Sequence, residues 1–299
     1  MQSFSRGWSF LQQAWSMAFK DRDLLKPSLY ALAAGMVVSV IGIIPIVGAA
    51  FIFGTEGVFA QGILFVLGAL LVFVQFVVSY VFSAMTVYLI FGYVSEGDGR
   101  MDKAWAIVRR DFFDILTLAA ASTAVNLIRS AAQRNRRGGL AVGVARSAAG
   151  LLETLWTEAS YLVLPAMVID DLNLKDGLAR IWKITKENLL LIGISTIGVR
   201  WVTGLIGFAL AIIGIVVGLG IFYALTAVFG FEAFGLIAGI GLAVIAGSIF
   251  FMLAGIISSY TSTAYHTCLY IWARDVEKAQ AQGKSVPVAA PAPLAAVLG

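Results

Sequence analysis

Four stretches of this 299-residue chain contain no Asp, Glu, Lys or Arg: 27–55, 57–95, 201–231 and 233–273, the last interrupted only by His266. A helix needs about 20 residues to cross the roughly 30 Å hydrocarbon core of a bilayer. Each run is therefore long enough to cross once, and none suits the core helix of a soluble domain. Composition agrees, with 60% hydrophobic and 13% charged residues, where a soluble domain carries about a quarter charged. Residues 1–26 are charged and amphipathic, so no cleavable leader is expected and the first run should act as an uncleaved anchor. A single cysteine, Cys268, excludes a disulfide within the chain and any multi-cysteine metal site.

The turns between the runs divide by charge. "GTEG" (54–57) and "GFEAFG" (230–235) hold Glu56 and Glu232 and no base, while Lys and Arg gather in 1–26, 100–110, 129–146, 175–186 and 274–284. The positive-inside bias then puts both termini in the cytoplasm and the two acidic turns outside. The spans become 28–53, 58–93, 202–228 and 234–272. Between them, 115–128 and 159–169 are short apolar pieces, and Arg129, Arg134, Arg136, Arg137 and Arg146 separate them. Carrying five arginines outside would break the bias, so 112–169 reads as a helical hairpin that enters partway or lies on the cytoplasmic face. A six-span arrangement is the alternative.

A shift of 180 residues superposes the ends of the second and fourth spans. Ser79-Tyr80 falls on Ser259-Tyr260, Ser83-Ala84 on Thr263-Ala264, and Leu89 on Leu269. This implies two parallel helix-pair repeats related by an axis along the membrane normal. In 1–23, Phe4, Trp8, Leu11, Trp15 and Phe19 recur at spacings of three and four, giving one apolar face suited to the membrane interface. Lys20, Arg22 and Lys26 beside it favour anionic head groups, as do Arg134, Arg136 and Arg137 in the hairpin.

The expected fold is an all-α integral membrane protein. An interfacial helix (1–26) leads into a first transmembrane pair (27–98) and a partly inserted hairpin (99–173). A juxtamembrane segment (174–200), a second pair (201–273) and a disordered Ala/Pro tail (274–299) complete it. Small residues at Gly214 and Gly218, and at Gly235, Gly239, Ala243 and Gly247, lie on common helical faces and should bring the third and fourth spans close. The large apolar surface and these faces suggest a homo-oligomer.

Polar residues inside the spans are the functional candidates. Ser259, Thr263 and His266 share a helical face at spacings i, i+4, i+7, and Ser79, Ser83 and Thr86 form the same stripe one repeat earlier. Two readings stay open: hydrogen bonding between helices, or a polar pathway with His266 as a proton or solute contact. Arg200 is a further intramembrane candidate, or a side chain that snorkels to the cytoplasmic interface. Glu153 and Glu158 are available to pair with hairpin arginines. No Ser-His-acid order, H-E-x-x-H, G-x-S-x-G or Walker loop occurs. No enzyme activity, cofactor, metal or nucleic-acid partner is therefore expected.

The segments "FSRGW" (4–8), "TEASYLVLPAMVIDD" (157–171) and "DGLARIWKITKENLLLIG" (176–193) resemble a recurrent pattern in uncharacterised prokaryotic multi-pass membrane proteins. More distantly, the order of elements is similar to bacterial sulfate permeases of the cysteine-biosynthesis membrane family. The resemblance implies a prokaryotic inner membrane, a partly inserted hairpin and anion passage. The chain carries no matching anion motif, so no residue role is carried over. Two functions remain in view: a permease, channel-like protein or transport accessory for a small solute, and a lipid-binding scaffold that recruits partners.

Overall fold

The computed structural model describes residues 2–134, 140–230, 233–283 and 288–298. The described residues form helices and no strand. That follows from the apolar runs, because a backbone in hydrocarbon must satisfy its polar groups within one segment. Helix α1 (Gln2–Lys20) leads through a 3-10 turn into α2 (Lys26–Phe53), which has Pro27 in its first turn. Gly54 and Gly57, at φ 75° and 94°, reverse the chain into α3 (Val58–Glu96). Gly97 ends α3 in the left-handed conformation, with its N–H on the Tyr93 carbonyl. Short α4 (Met101–Arg110) precedes α5 (Phe112–Arg134) and α6 (Leu140–Asp170). Two very long helices, α7 (Leu174–Phe229) and α8 (Ala233–Ala281), form an antiparallel pair, and α9 (Ala292–Leu298) closes the chain.

Among the described residues, five helical stretches are long and apolar enough to cross a membrane: Arg22–Phe53, Val58–Glu96, Phe112–Gln133, Trp201–Val228 and Gly235–Ala281. Four were expected; the fifth lies in the supposed hairpin. Helix α5 packs along α3, with Ser122 against Tyr80 and with Gln133 lining a cleft that also reaches Thr55 and Gln61. The juxtamembrane segment is not a separate element either. Residues 174–200 and the third span are one 56-residue helix, capped at its start by the Asn173 side chain accepting from the Asp176 N–H at 2.9 Å.

The molecule has two physically different halves. On one side large apolar residues face outward, among them Val40, Ile44 and Phe51 on α2, Val58 on α3, Val228 on α7 and Ile237 on α8. On the other side α3 and α8 continue into a packed core that includes Phe10, Leu24, Met85, Leu89, Leu118, Met167, Tyr260 and Tyr265. Helix α1 belongs to this core. The face it buries is Phe10, Ala14, Met17 and Ala18, about a third of a turn from the face expected on lipid (Phe4, Trp8, Leu11, Trp15 and Phe19). The Tyr260 hydroxyl donates to the Ala14 carbonyl at 3.0 Å, and the Trp15 indole N–H donates to Thr261 Oγ1 at 3.2 Å. Of the face expected on lipid, Trp8 and Phe19 are exposed and Leu11 and Trp15 are half-buried. The tail also departs from expectation. Helix α8 runs on to Ala281, and α9 packs on α1 with Leu294 fully buried.

The small-residue faces meet as expected. A Cβ built on Gly214 would sit 3.0 Å from the Gly247 carbonyl oxygen, and one on Gly218 3.1 Å from that of Ala243. Backbone approach this close is open only to glycine.

Candidate functional site

Where the packed core meets the apolar half, α3, α5, α6 and α8 enclose a cavity of about 370 Å³. Helix α3 contributes Ser79, Tyr80 and Ser83, and α8 contributes Gly255, Ser258 and Ser259. Helix α5 adds Ser122 and Asn126; α6 adds Glu153, Trp156, Thr157, Ser160 and Tyr161. On α6 these residues recur at spacings of three and four and so form one face.

Part of this lining is tied up in structure. The Trp156 indole N–H donates to Ser122 Oγ at 2.8 Å, and the Tyr80 hydroxyl lies 2.7 Å from the same oxygen, which fastens α3, α5 and α6 together. Ser160 and Thr157 donate to carbonyls of their own helix at 2.9 and 2.8 Å. Glu153 forms an ion pair with Arg129 of α5. The rest is open: Ser79, Ser83, Ser258, Ser259 and the Asn126 amide make no side-chain hydrogen bond to the described residues. Such groups, at the edge of an apolar belt, require water or a ligand as partner.

Directly below, the core closes around His266. Its Nδ1 is 2.7 Å from the Ser262 carbonyl and so carries a proton that it donates. Its Nε2 faces Glu158 Oε2 at 3.4 Å, a contact that needs one proton on the pair. Tyr161, which lines the cavity, stacks on the imidazole with centroids 4.9 Å apart. Deeper still, the Tyr270 hydroxyl donates to Asp170, which also pairs with Arg180 at 3.3 Å and Arg274 at 3.4 Å. Arg180 reaches Glu277 as well, at 3.1 Å. Burial alone would lower the Arg180 pKa, but Tyr270, Asp170 and Glu277 outweigh it and hold the guanidinium above its usual value. This network bolts the ends of α6 and α8 to the start of α7.

The structure therefore brings together three of the stripe residues, Ser79, Ser83 and Ser259, and not the others. Thr86, Thr263 and His266 are buried below the cavity, and the Thr86 hydroxyl donates to the Phe82 carbonyl at 3.0 Å. The reason is axial. Seven residues along a helix is about 10 Å, which carries the stripe from the open cavity into the level where α1 and the end of α6 cover it. Arg200 belongs to α7, but its side chain lies outside the described residues. Arg136 and Arg137 lie outside them entirely, and so does the Arg134 side chain. Lys20 and Arg22 are exposed, and Lys26 is exposed with Asp23 2.5 Å away. Sequence reasoning missed Asn126, Ser122, Trp156 and Ser258. The periodicity of Ser122, Asn126 and Ser130 along α5 was the available signal.

Comparison with protein families returns no matching model, and comparison with curated proteins returns no match.

Proposed function

We propose that this chain is a multi-pass membrane protein that passes a small solute, as a permease, channel-like protein or transport accessory. The observation that carries the reading is the cavity itself. Two corresponding repeat positions, Ser79 and Ser259, converge there with Asn126 and Ser258, and their polar groups have no side-chain hydrogen bond among the described residues. The charge distribution supports a bacterial inner-membrane orientation with both termini cytoplasmic. In that orientation the packed core with α1, α4 and α9 faces the cytoplasm, and α5 crosses alongside α2, α3, α7 and α8. The 180-residue correspondence supports a duplicated helix pair, and the extensive exposed apolar surface supports self-association within the membrane. The test is flux into proteoliposomes by the purified chain. Replacing Ser79, Ser83 and Ser259 with Leu should abolish flux while leaving the elution profile of the protein unchanged. Flux that survives all three replacements would refute a route through this cavity.

A second reading, a non-transporting lipid-binding scaffold, has its own support. Lys20, Arg22 and Lys26 are exposed between α1 and α2, next to exposed Phe19 and Tyr30, a pairing suited to anionic headgroups. In that case anionic lipid co-purifies and is released by neutralising these residues or Arg134, Arg136 and Arg137, and no flux is seen.

A further inference from the structure

The cavity does not stand alone. A cleft of about 910 Å³ between α2, α3 and α5 shares Phe76, Ser79 and Asn126 with it. A third cleft, about 1270 Å³, shares Val72 and Asn126 with the second and ends at Thr55, Gln61 and Gln133. All three adjoin at Asn126.

A polar seam follows this line. On α5, Asn126, Ser130 and Gln133 lie at i, i+4, i+7 and so on one face. On α3, Ser83, Ser79, Gln75 and Gln61 mark the same direction, with Gln75 Nε2 donating to Gly35 O at 2.9 Å and Ser39 Oγ at 2.7 Å. From Ser83 to Gln61 the rise along α3 is about 33 Å; between Gln75 and Gln61 α3 is apolar, and the polar groups lining the cleft there are Asn126, Ser130 and Gln133 of α5, over about 10 Å. The walls beside the seam are apolar: Met36, Val40, Leu64, Phe65, Leu71 and Leu127. Met36, Val40 and Phe65 are themselves exposed, so these clefts open sideways on the surface that faces lipid.

We infer that the occupant of this seam is a membrane amphiphile whose headgroup runs along the polar line while its chains stay in the bilayer. This rests on the reading of the cavity as a route and names what uses it. A groove open to hydrocarbon on one side does not confine a soluble solute, whereas an amphiphile fills both parts with matching chemistry. The headgroup is zwitterionic or uncharged. Among the described residues no charged side chain lines the two clefts, and the one carboxylate at the cavity, Glu153, is neutralised by Arg129. Asn126 and Gln133 offer both donors and acceptors, which suits phosphate oxygens, esters and hydroxyls alike.

The experiment reconstitutes the full chain into phosphatidylcholine vesicles carrying trace short-chain fluorescent phosphatidylcholine and trapped radiolabelled sorbitol. Albumin, too large for any pore, extracts the fluorescent lipid from the outer leaflet only. The expected result is extraction well beyond the outer-leaflet half. The rate should fall about tenfold or more, equivalent to about 1.4 kcal/mol of barrier, in Asn126→Leu and in Gln133→Leu. Gln133 is exposed, so its replacement carries no folding burden, and Asn126→Ser should retain the rate. Extraction that stops at half overturns the inference. If sorbitol then escapes from the wild type and not from Ser259→Leu, the route through the cavity stands and only its occupant is wrong. If sorbitol also stays, both readings fail. Extraction beyond half that neither leucine variant slows likewise overturns the assignment to this seam.

Discussion

Replacing Gly214 with Ala tests the close packing of α7 on α8. The added methyl would lie 3.0 Å from the Gly247 carbonyl oxygen and 3.0 Å from Phe250 Cβ. Ordinary carbon contacts begin near about 3.5 Å, so the second approach is short by roughly 0.5 Å. Neither neighbour is the far end of a flexible side chain, so the two helices must separate to relieve it. Overpacking of this kind costs about 1–3 kcal/mol. Against it stands the gain of replacing glycine in a helix, about 0.5–1 kcal/mol. The net expectation is a loss of about 0–2.5 kcal/mol. Gly220 on the same helix has nothing within 4 Å of a built Cβ, so Gly220→Ala keeps only the helical gain. Reversible unfolding in mixed micelles reads both variants. The reasoning is refuted if Gly214→Ala is as stable as Gly220→Ala.

Four other outcomes are expected. Asp170→Asn leaves Arg274 and Arg180 without their shared carboxylate and should cost roughly 2–4 kcal/mol in the same unfolding assay; no loss would mean that the network is ornamental. Leu294→Ala should cost about 2–3 kcal/mol of local stability and make the C-terminal segment more sensitive to limited proteolysis, since this side chain is fully buried. Burial raises the Asp111 pKa above the ordinary carboxylate value, although its bidentate pair with Arg110 opposes the shift. Its favourable contribution is therefore complete below the ordinary Asp pKa and is lost as pH rises through the raised value. Asp111→Asn should remove that decline from a stability–pH profile, and an unchanged slope would contradict it. Wild-type Cys268, fully buried, should resist an impermeant maleimide until the protein is denatured.

The helices of the apolar half were legible because long uncharged runs leave a chain few alternatives. The α7–α8 contact was legible for a similar reason, since Gly214, Gly218, Ala243 and Gly247 repeat at helical spacing. Half of the site was legible too, through the correspondence of Ser79 with Ser259. Other features were hidden for separable physical reasons. A shared helical face gives direction but not depth, so Thr86, Thr263 and His266 were grouped with hydroxyls that sit in a different environment one or two turns away. The aromatic spacing of α1 marked one face, while the residues that bury against protein, Phe10, Ala14, Met17 and Ala18, lie on the neighbouring one. The length of α5 was masked by its terminal arginines, which argued for a short apolar piece where the structure has one 23-residue helix packed on α3. The docking of α9 rests on Leu294 in an Ala/Pro segment whose composition alone suggests disorder.

The central claim is that the cavity beneath Ser79 and Ser259 is wet. The direct measurement is thiol labelling of Ser259→Cys in a Cys268→Ser background, in membranes, with a membrane-impermeant maleimide, beside His266→Cys as the buried reference. Rapid labelling at 259 with none at 266 is the expected result, because Ser259 is exposed to the cavity and His266 is sealed beneath it. Protection of position 259 until denaturation would show a dry helix contact and contradict the account.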